Sequence, residues 1–167
     1  METFTASLDT TSKIITGFIF LMVVAGVVMI FFQNPWFAGL GVAVIPALLI
    51  VFTYIYSISS YQIADDKLVI KRPFSMFDKE ISLSDIESVQ VPDKNDFSGT
   101  IRTAGVGGLF GYYGYFMNNK LGTFRMYATN GKNRILIILK SKKDKIVLSP
   151  DDAGMADALQ KRLKKEA

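Results

Sequence analysis

Between Lys13 and Asp65 the chain runs through 51 residues without one charged side chain. Its apolar positions follow neither a helical stripe nor a two-residue alternation, so no face is reserved for water. Such a run is long enough for two membrane-spanning helices, since a hydrocarbon core of about 30 Å takes roughly 20 apolar residues. Asn34-Pro35-Trp36 divides it, combining turn chemistry with a side chain that favours the lipid–water boundary. The pattern predicts one span over residues 14–32 and a second over residues 37–56, preceded by a short segment, residues 1–13. A cleaved leader does not fit. The first apolar run exceeds the usual 7–15 residues of such signals, and Glu2, Asp9 and Lys13 precede it instead of a basic cluster. A buried hairpin of a soluble protein would carry a polar stripe, and neither segment has one.

Beyond the second run the period changes to alternation. SYQIADDKLVIKRP places a strand on each side of Asp65-Asp66, with Ile63, Leu68 and Ile70 on one face and Pro73 ending the second strand. KEISLSDIESVQV repeats the pattern around Ile81, Leu83, Ile86, Val89 and Val91, and Pro92–Gly99 reads as loop. Three more strands follow the glycine-rich stretch, with Asn130-Gly131 as a hairpin turn and Arg134–Leu139 as an apolar strand. In SPDDAGMADALQKRLKKEA, Ser149 reads as a cap, Pro150 as the first helical position, and Asp151 and Asp152 as acids at the positive end of the dipole. Met155, Leu159 and Leu163 give that helix an apolar face for the sheet.

The expected fold is therefore a two-helix transmembrane hairpin followed by an α+β domain over residues 57–167. That domain has about seven antiparallel strands as a partly open barrel or sandwich, capped by a C-terminal helix. The strand lines YQIADDKLVIKRP and ISLSDIESVQV resemble the opening of membrane-anchored bacterial pleckstrin-homology (PH) domain proteins. GGLFGYYGYFMNNKLGTFRMYAT followed by IVLSPDD is similar to the second half of one subgroup with a Gly/aromatic-rich segment. The resemblance runs from about Tyr61 to Leu163. It implies a PH-like fold and little about activity, because many such proteins are known only as membrane-associated accessory proteins.

Charge adds orientation. The 167 residues are 50% hydrophobic with a mean hydropathy of +0.28 and a net charge of +4, and all but one of the 19 Lys and Arg residues lie at or beyond Lys67. Lys67, Lys71, Arg72 and Lys79 follow the second apolar run directly, while the turn between the runs has no charge. Basic residues collect on the cytoplasmic side, so both termini are expected there, with the protein multi-pass in the cytoplasmic (inner) membrane. The chain has no cysteine and no histidine, which removes disulfides, thiol nucleophiles, thiolate or imidazole metal ligands and imidazole acid–base catalysis.

GVGGLFGYYGYF, Gly105–Phe116, is the most unusual segment. It departs from G-x-G-x-x-G, placing Phe110 at a glycine position whether Gly105 or Gly108 opens the motif, so a phosphate-cradling loop is not indicated. Two readings remain. In one it is irregular core between the fourth and fifth strands. In the other it is a surface segment that buries Leu109 and Phe110 and presents Tyr112, Tyr113 and Tyr115 to a partner or the headgroup layer, flanked by Arg102 and Arg125. Lys142, Lys143, Lys164 and Lys165 are candidates for anionic lipid, against the alternative of a solvated face. Asp65-Asp66 occupies the first hairpin turn, where the resemblance would require basic residues for phosphoinositide binding, so that activity is not carried over. The aromatics do not alternate with basic residues on strands, which argues against nucleic acid. No catalytic, cofactor-binding or metal-binding residues are assigned. The small residues Gly39, Ala43 and Ala47 suit close packing of the two spans or, equally, a homo-oligomer. These features together favour a membrane-anchored binding or scaffold module for a protein partner or lipid headgroups. A structural subunit of a larger membrane complex is the alternative, and an enzyme acting on membrane substrates is the least supported reading.

Overall fold

Thr10–Phe32 forms helix α1 and Trp36–Ile55 forms helix α2, two largely apolar helices that lie against each other. The computed structural model describes residues 1–32, 36–141 and 144–166, and side chains other than those of residue 31, residues 36–43 and Glu166. The Asn34-Pro35 turn, Lys142 and Lys143 therefore fall outside the described residues. So do the surroundings of Gly39 and Ala43, on which the small-residue face depends. Among the described residues one helix, Thr10–Ile30 within α1, is long and apolar enough to cross a membrane, and Val44–Ile55 is a shorter apolar stretch. The expectation of two spans is thus matched by one long apolar helix and a second, shorter one.

Among the described residues there are ten strands, three more than the seven expected. Glu2–Thr5 is β1, Ser60–Ile63 β2, Lys67–Lys71 β3, Lys79–Ser82 β4 and Ile86–Gln90 β5. Ile101–Gly107 is β6, Tyr112–Asn118 β7, Gly122–Ala128 β8, Ile135–Leu139 β9 and Lys145–Leu148 β10, and Gly154–Glu166 is helix α3. One sheet has the order β1-β2-β3-β4 and the other β5-β9-β10-β8-β7-β6. The two sheets are open and do not close into a barrel. Nor is every pair antiparallel. β10 runs parallel to β8, with Val147 beside Met126, so β9 and β8 are not neighbours. Asn130-Gly131 is accordingly no hairpin turn. It belongs to a longer connection in which the Asn130 side-chain amide donates to the Ser7 carbonyl at 3.0 Å.

The residues before α1, expected as a segment apart, supply a strand. β1 pairs antiparallel with β2, Glu2 opposite Ile63 and Thr5 opposite Ser60. The helical hairpin is therefore an insertion between two paired strands. Asp151 secures the junction, accepting hydrogen bonds from the Ser7 backbone at 2.9 Å and the Ser7 hydroxyl at 2.6 Å, while the Asp151 N–H donates to the Thr5 carbonyl at 3.0 Å. Asp9 carries the link into α1. Its N–H donates to the Thr129 carbonyl at 3.1 Å, and its carboxylate caps the helix by accepting from the Ser12 N–H at 2.7 Å.

The main core lies between the sheets and under α3, where Tyr61, Ile63, Leu68, Ile70, Leu83, Ile137, Ile146, Leu148, Met155 and Leu159 are all essentially inaccessible. A second cluster, Phe97, Phe116, Phe124, Met126 and Val147, fills the other face of the six-stranded sheet under the 92–100 loop. Ser149 does not cap α3. Its hydroxyl accepts from the backbones of Thr129 and Asn130, and Asp152 takes the Gly154 N–H at 2.8 Å, so α3 starts later than the sequence suggested.

Leu159 is fully buried and Lys164 exposed. Leu159→Ala is expected to destabilise the full chain in detergent by about 2–5 kcal/mol, with Lys164→Ala within about 0.5 kcal/mol of wild type; equal thermal midpoints would show that α3 is not docked. A second outcome concerns acid. Burial raises the Asp151 carboxyl, but its hydrogen bonds from Ser7, Thr5 and Asn130 outweigh this and hold it below the usual carboxylate range. A carboxyl depressed in the folded state contributes stability above its unfolded value and loses it as pH falls through the folded value. Asp151→Asn should therefore lower the melting temperature at neutral pH and flatten its decline at low pH; an unchanged pH profile would exclude this role.

Candidate functional site at the base of the helical hairpin

The glycine stretch folds as a β-hairpin, β6 and β7 joined by residues 108–111 with the Gly108 N–H donating to the Gly111 carbonyl at 2.9 Å. The expectation of an irregular segment is corrected: alternation was hidden because glycine takes positions where a strand would show side chains. Gly105 and Gly114 face each other across the pair. Both have positive φ, and a Cβ on either would stand 2.3 Å from a carbonyl oxygen of the opposite strand. The two backbones approach this closely only without side chains.

Gly108 serves a different contact. A Cβ there would meet the Ile15 Cδ1 at 2.7 Å, so the turn lies directly on the first residues of α1. The Phe110 N–H donates to the Thr16 hydroxyl at 3.1 Å. The Phe110 ring meets Tyr54 of α2 edge-on, with centroids 5.5 Å apart. Tyr112 donates to the Asp9 carboxylate at 3.4 Å, and Tyr113 to the Thr53 carbonyl of α2 at 2.7 Å. The hairpin tip therefore touches both helices where they leave the domain. Glycines supply the close approach and aromatics supply the contacts.

This placement revises the sequence-based surface. Tyr113 is 7% exposed, and burial pushes its hydroxyl up to about 12 against the opposing influences of Arg72 and the Thr53 hydrogen bond. Tyr112 is partly buried, and Leu109 and Phe110, expected in the core, are only partly covered. Of the three tyrosines Tyr115 alone is exposed, at 50%. Arg102 and Arg125 do not converge. Arg102 is in register with Phe116 and Arg125 with Tyr115, which puts them on opposite faces of the sheet, and Arg125 pairs with Asp144 at 2.9 Å.

Topology places the two described lysine candidates, Lys164 and Lys165, at one end of the domain. β2 runs away from α2, so Ile63 and its partner Glu2 mark a pole distal to the helices. Arg162 of α3 reaches Glu2 and Asp65 there, each at 3.5 Å. Lys164 lies with Leu83, Ser84 and Lys140 at the same pole, and Lys165 with Glu2 and Asp157. Lys164 and Lys165 are thus far from the helix exits, where a membrane surface would lie. Sequence adjacency to other lysines could not reveal this, because α3 runs away from the junction.

Several contributors were missed. Asp9 and Thr16 link α1 to the domain, Thr53 links α2, and Arg72 stands beside Tyr56 and Tyr127. The Asp9-x-x-Ser12 spacing was the one available signal, a helix cap placed just before an apolar run.

Two stacked open sheets with a C-terminal helix over their core define a PH-like domain. A family model described as bacterial PH domain matches residues 59–165, and the chain belongs to that family. β1, α1 and α2 precede the matched region. No curated protein and no solved structure matches the chain.

Gly114→Ala is expected to destabilise the full chain by about 2 kcal/mol or more and Tyr113→Phe by about 1 kcal/mol, whereas Tyr115→Phe should be nearly silent. Thermal melts in detergent check the ranking; a silent Gly114→Ala would refute the close pairing of the two strands.

Proposed function

We propose that the protein is a membrane-anchored PH-like scaffold, with α1 and α2 crossing the bilayer as a hairpin and the domain held against its cytoplasmic face to engage a protein partner. The observation that carries this reading is that an apolar hairpin projects from one pole of the domain with both ends tied into it. From Lys13 to Ile30 no residue of α1 is fully buried, and Phe18, Leu21, Met29, Leu48 and Phe52 all stand exposed on the helices. Lipid removes the cost of that exposure. α2 has 20 residues, which at 1.5 Å per residue reaches about 30 Å, enough for a second span. The charges following α2 support a cytoplasmic domain. No catalytic step is assigned to any residue.

The exposed side chains of Ile101, Tyr115 and Met117, which share one face of β6 and β7, favour a protein surface as the partner. The same face would serve a subunit built into a larger membrane complex.

Topology tests the reading. Single cysteines introduced as Thr3→Cys, Asn34→Cys and Lys165→Cys in this cysteine-free chain should respond differently to an impermeant maleimide in intact cells. Asn34→Cys is expected to label and the other two to label only after permeabilisation. Labelling of Thr3→Cys and Lys165→Cys on opposite sides would break the even-span arrangement.

A further inference from the structure

Lys71-Arg72-Pro73-Phe74-Ser75-Met76-Phe77-Asp78-Lys79 connects β3 to β4. Pro73 ends the strand, and Ser75–Phe77 closes one 3-10 turn. Asp78 organises the segment, accepting from the Arg72 backbone N–H at 2.8 Å and pairing with the Lys71 ammonium. The Ser59 N–H donates to the Lys71 carbonyl at 2.9 Å, so this turn sits at the pole where α2 ends. There Phe52 packs on Tyr56 at 4.8 Å between centroids, and Tyr56 on Phe77 at 5.4 Å. An aromatic strip thus continues from the lipid-facing flank of α2 onto the turn. Next to it Phe74 is 51% and Met76 82% exposed, two large apolar side chains at a loop tip that the described residues leave largely uncovered.

Arg72 lies behind this tip. Its guanidinium carbon is 5.0 Å from the centroid of Tyr56 and 5.9 Å from that of Tyr127, so ring faces line the cation. Ring faces do not satisfy the in-plane donors of the fork, and Nε and Nη1 are buried without a hydrogen-bond partner among the described residues. The nearby polar groups are already engaged: Asp78 by Lys71 and the Arg72 backbone, the Tyr113 hydroxyl by Thr53. A planar fork left with free donors is suited to two oxygens of a phosphate.

We propose that the Pro73–Asp78 turn enters the interfacial layer of the leaflet from which α1 and α2 emerge, with Phe74 and Met76 among the acyl chains and Arg72 holding the phosphate of an anionic lipid headgroup. The proposal rests on the membrane-anchor reading above and adds a specific lipid site to it. Lipid is the occupant because the exposed apolar tip continues the helix flank, and Lys71, Arg72 and Lys79 leave the segment positive after Asp78 is counted. The site is at the opposite pole from Asp65-Asp66 and from Lys164 and Lys165.

The test uses the full chain in phosphatidylcholine nanodiscs with and without phosphatidylglycerol. Polarity-sensitive labels are placed singly through Val24→Cys in α1, Met76→Cys at the tip and Lys165→Cys at the distal pole. The expected result is quenching by brominated lipid for Val24→Cys and Met76→Cys, and by aqueous iodide for Lys165→Cys. Iodide access at Val24→Cys would defeat the anchor itself. Iodide access at Met76→Cys with Val24→Cys shielded would leave the anchor standing and overturn the lipid-inserted turn; this outcome includes a protein partner as the true cover of Phe74 and Met76.

Native mass spectrometry reads the phosphate contact. Arg72→Gln should retain about fivefold less phosphatidylglycerol than wild type, and Arg72→Lys an intermediate amount because it keeps the charge without the fork. Equal retention in Arg72→Gln would overturn the contact. Displacement of the lipid by inorganic phosphate at matched concentration would make free phosphate the ligand and overturn the lipid assignment. Should Arg72→Gln fail to fold, the exposed pair Phe74→Ser and Met76→Ser carries the test: reduced phosphatidylglycerol retention supports the site, and unchanged retention overturns it.

Discussion

The pairing of β1 with β2 is the constraint on which the rest of the arrangement depends. Thr5 and Ser60 are opposite each other, and strands in a sheet lie about 4.8 Å apart. Everything between them, both apolar helices included, must leave the sheet and return to neighbouring positions on the same edge. A single helix cannot do this, because its far end would be stranded about 30 Å away. Two helices side by side can. The hairpin, the division of the domain into a proximal and a distal pole, and the placement of both chain termini on one side of the helices all follow from this closure.

β1 is too short to hold that closure by itself. It has four residues, and only Phe4 is partly buried. The attachment is distributed over polar contacts that follow it, from Ser7 to Asp151, from Asn130 to Ser7 and from Asp9 to Thr129, each worth about 1 kcal/mol in a typical protein setting. The tip of the β6–β7 hairpin adds a second attachment of different chemistry, apolar and close-packed, with Phe110 against Tyr54 and Gly108 against Ile15. One fixes the foot of α1 and the other reaches both helices. With so few residues between α1 and β1, and between α2 and β2, the domain has no linker on which to swing, and its orientation relative to the helices is set.

The sequence made the apolar helices, the strands with regular alternation and the amphipathic α3 legible, because in each the periodicity of buried side chains is local. What it hid shares a different cause. β1 shows little alternation since it is an edge strand with a single half-buried side chain. β6 is exposed along almost its whole length, so no burial pattern marks it, and glycine in β6 and β7 reads as loop although here it permits strand contact. The parallel pairing of β8 with β10 and the path of Asn130 to Ser7 join residues distant in the chain. The tyrosines illustrate the limit at the site: composition turned all three towards a partner or the headgroup layer, but Tyr113 is buried and donates inside the protein to the Thr53 carbonyl near the end of α2. Arg72 looked like one of several basic residues following α2, and only its contacts with Tyr56 and Tyr127 distinguish it.

The same geometry limits what a protein partner could use. β6 is a free edge, but a register shift between Arg102 and Ala104 and the paired glycines at 105 and 114 bend it away from the flat ladder that strand addition requires. Recognition through the side-chain face is more consistent with this edge. On that face Tyr113, Tyr115 and Met117 follow at two-residue spacing, and Tyr113 is covered by α2. The uncovered part, Tyr115 and Met117 with Ile101 alongside, thus begins where α2 leaves the sheet and extends toward the distal pole. A partner lying on it would stand beside the hairpin itself. Under the proposed anchoring, with the hairpin in a bilayer, that position would suit a neighbour that is also at the membrane.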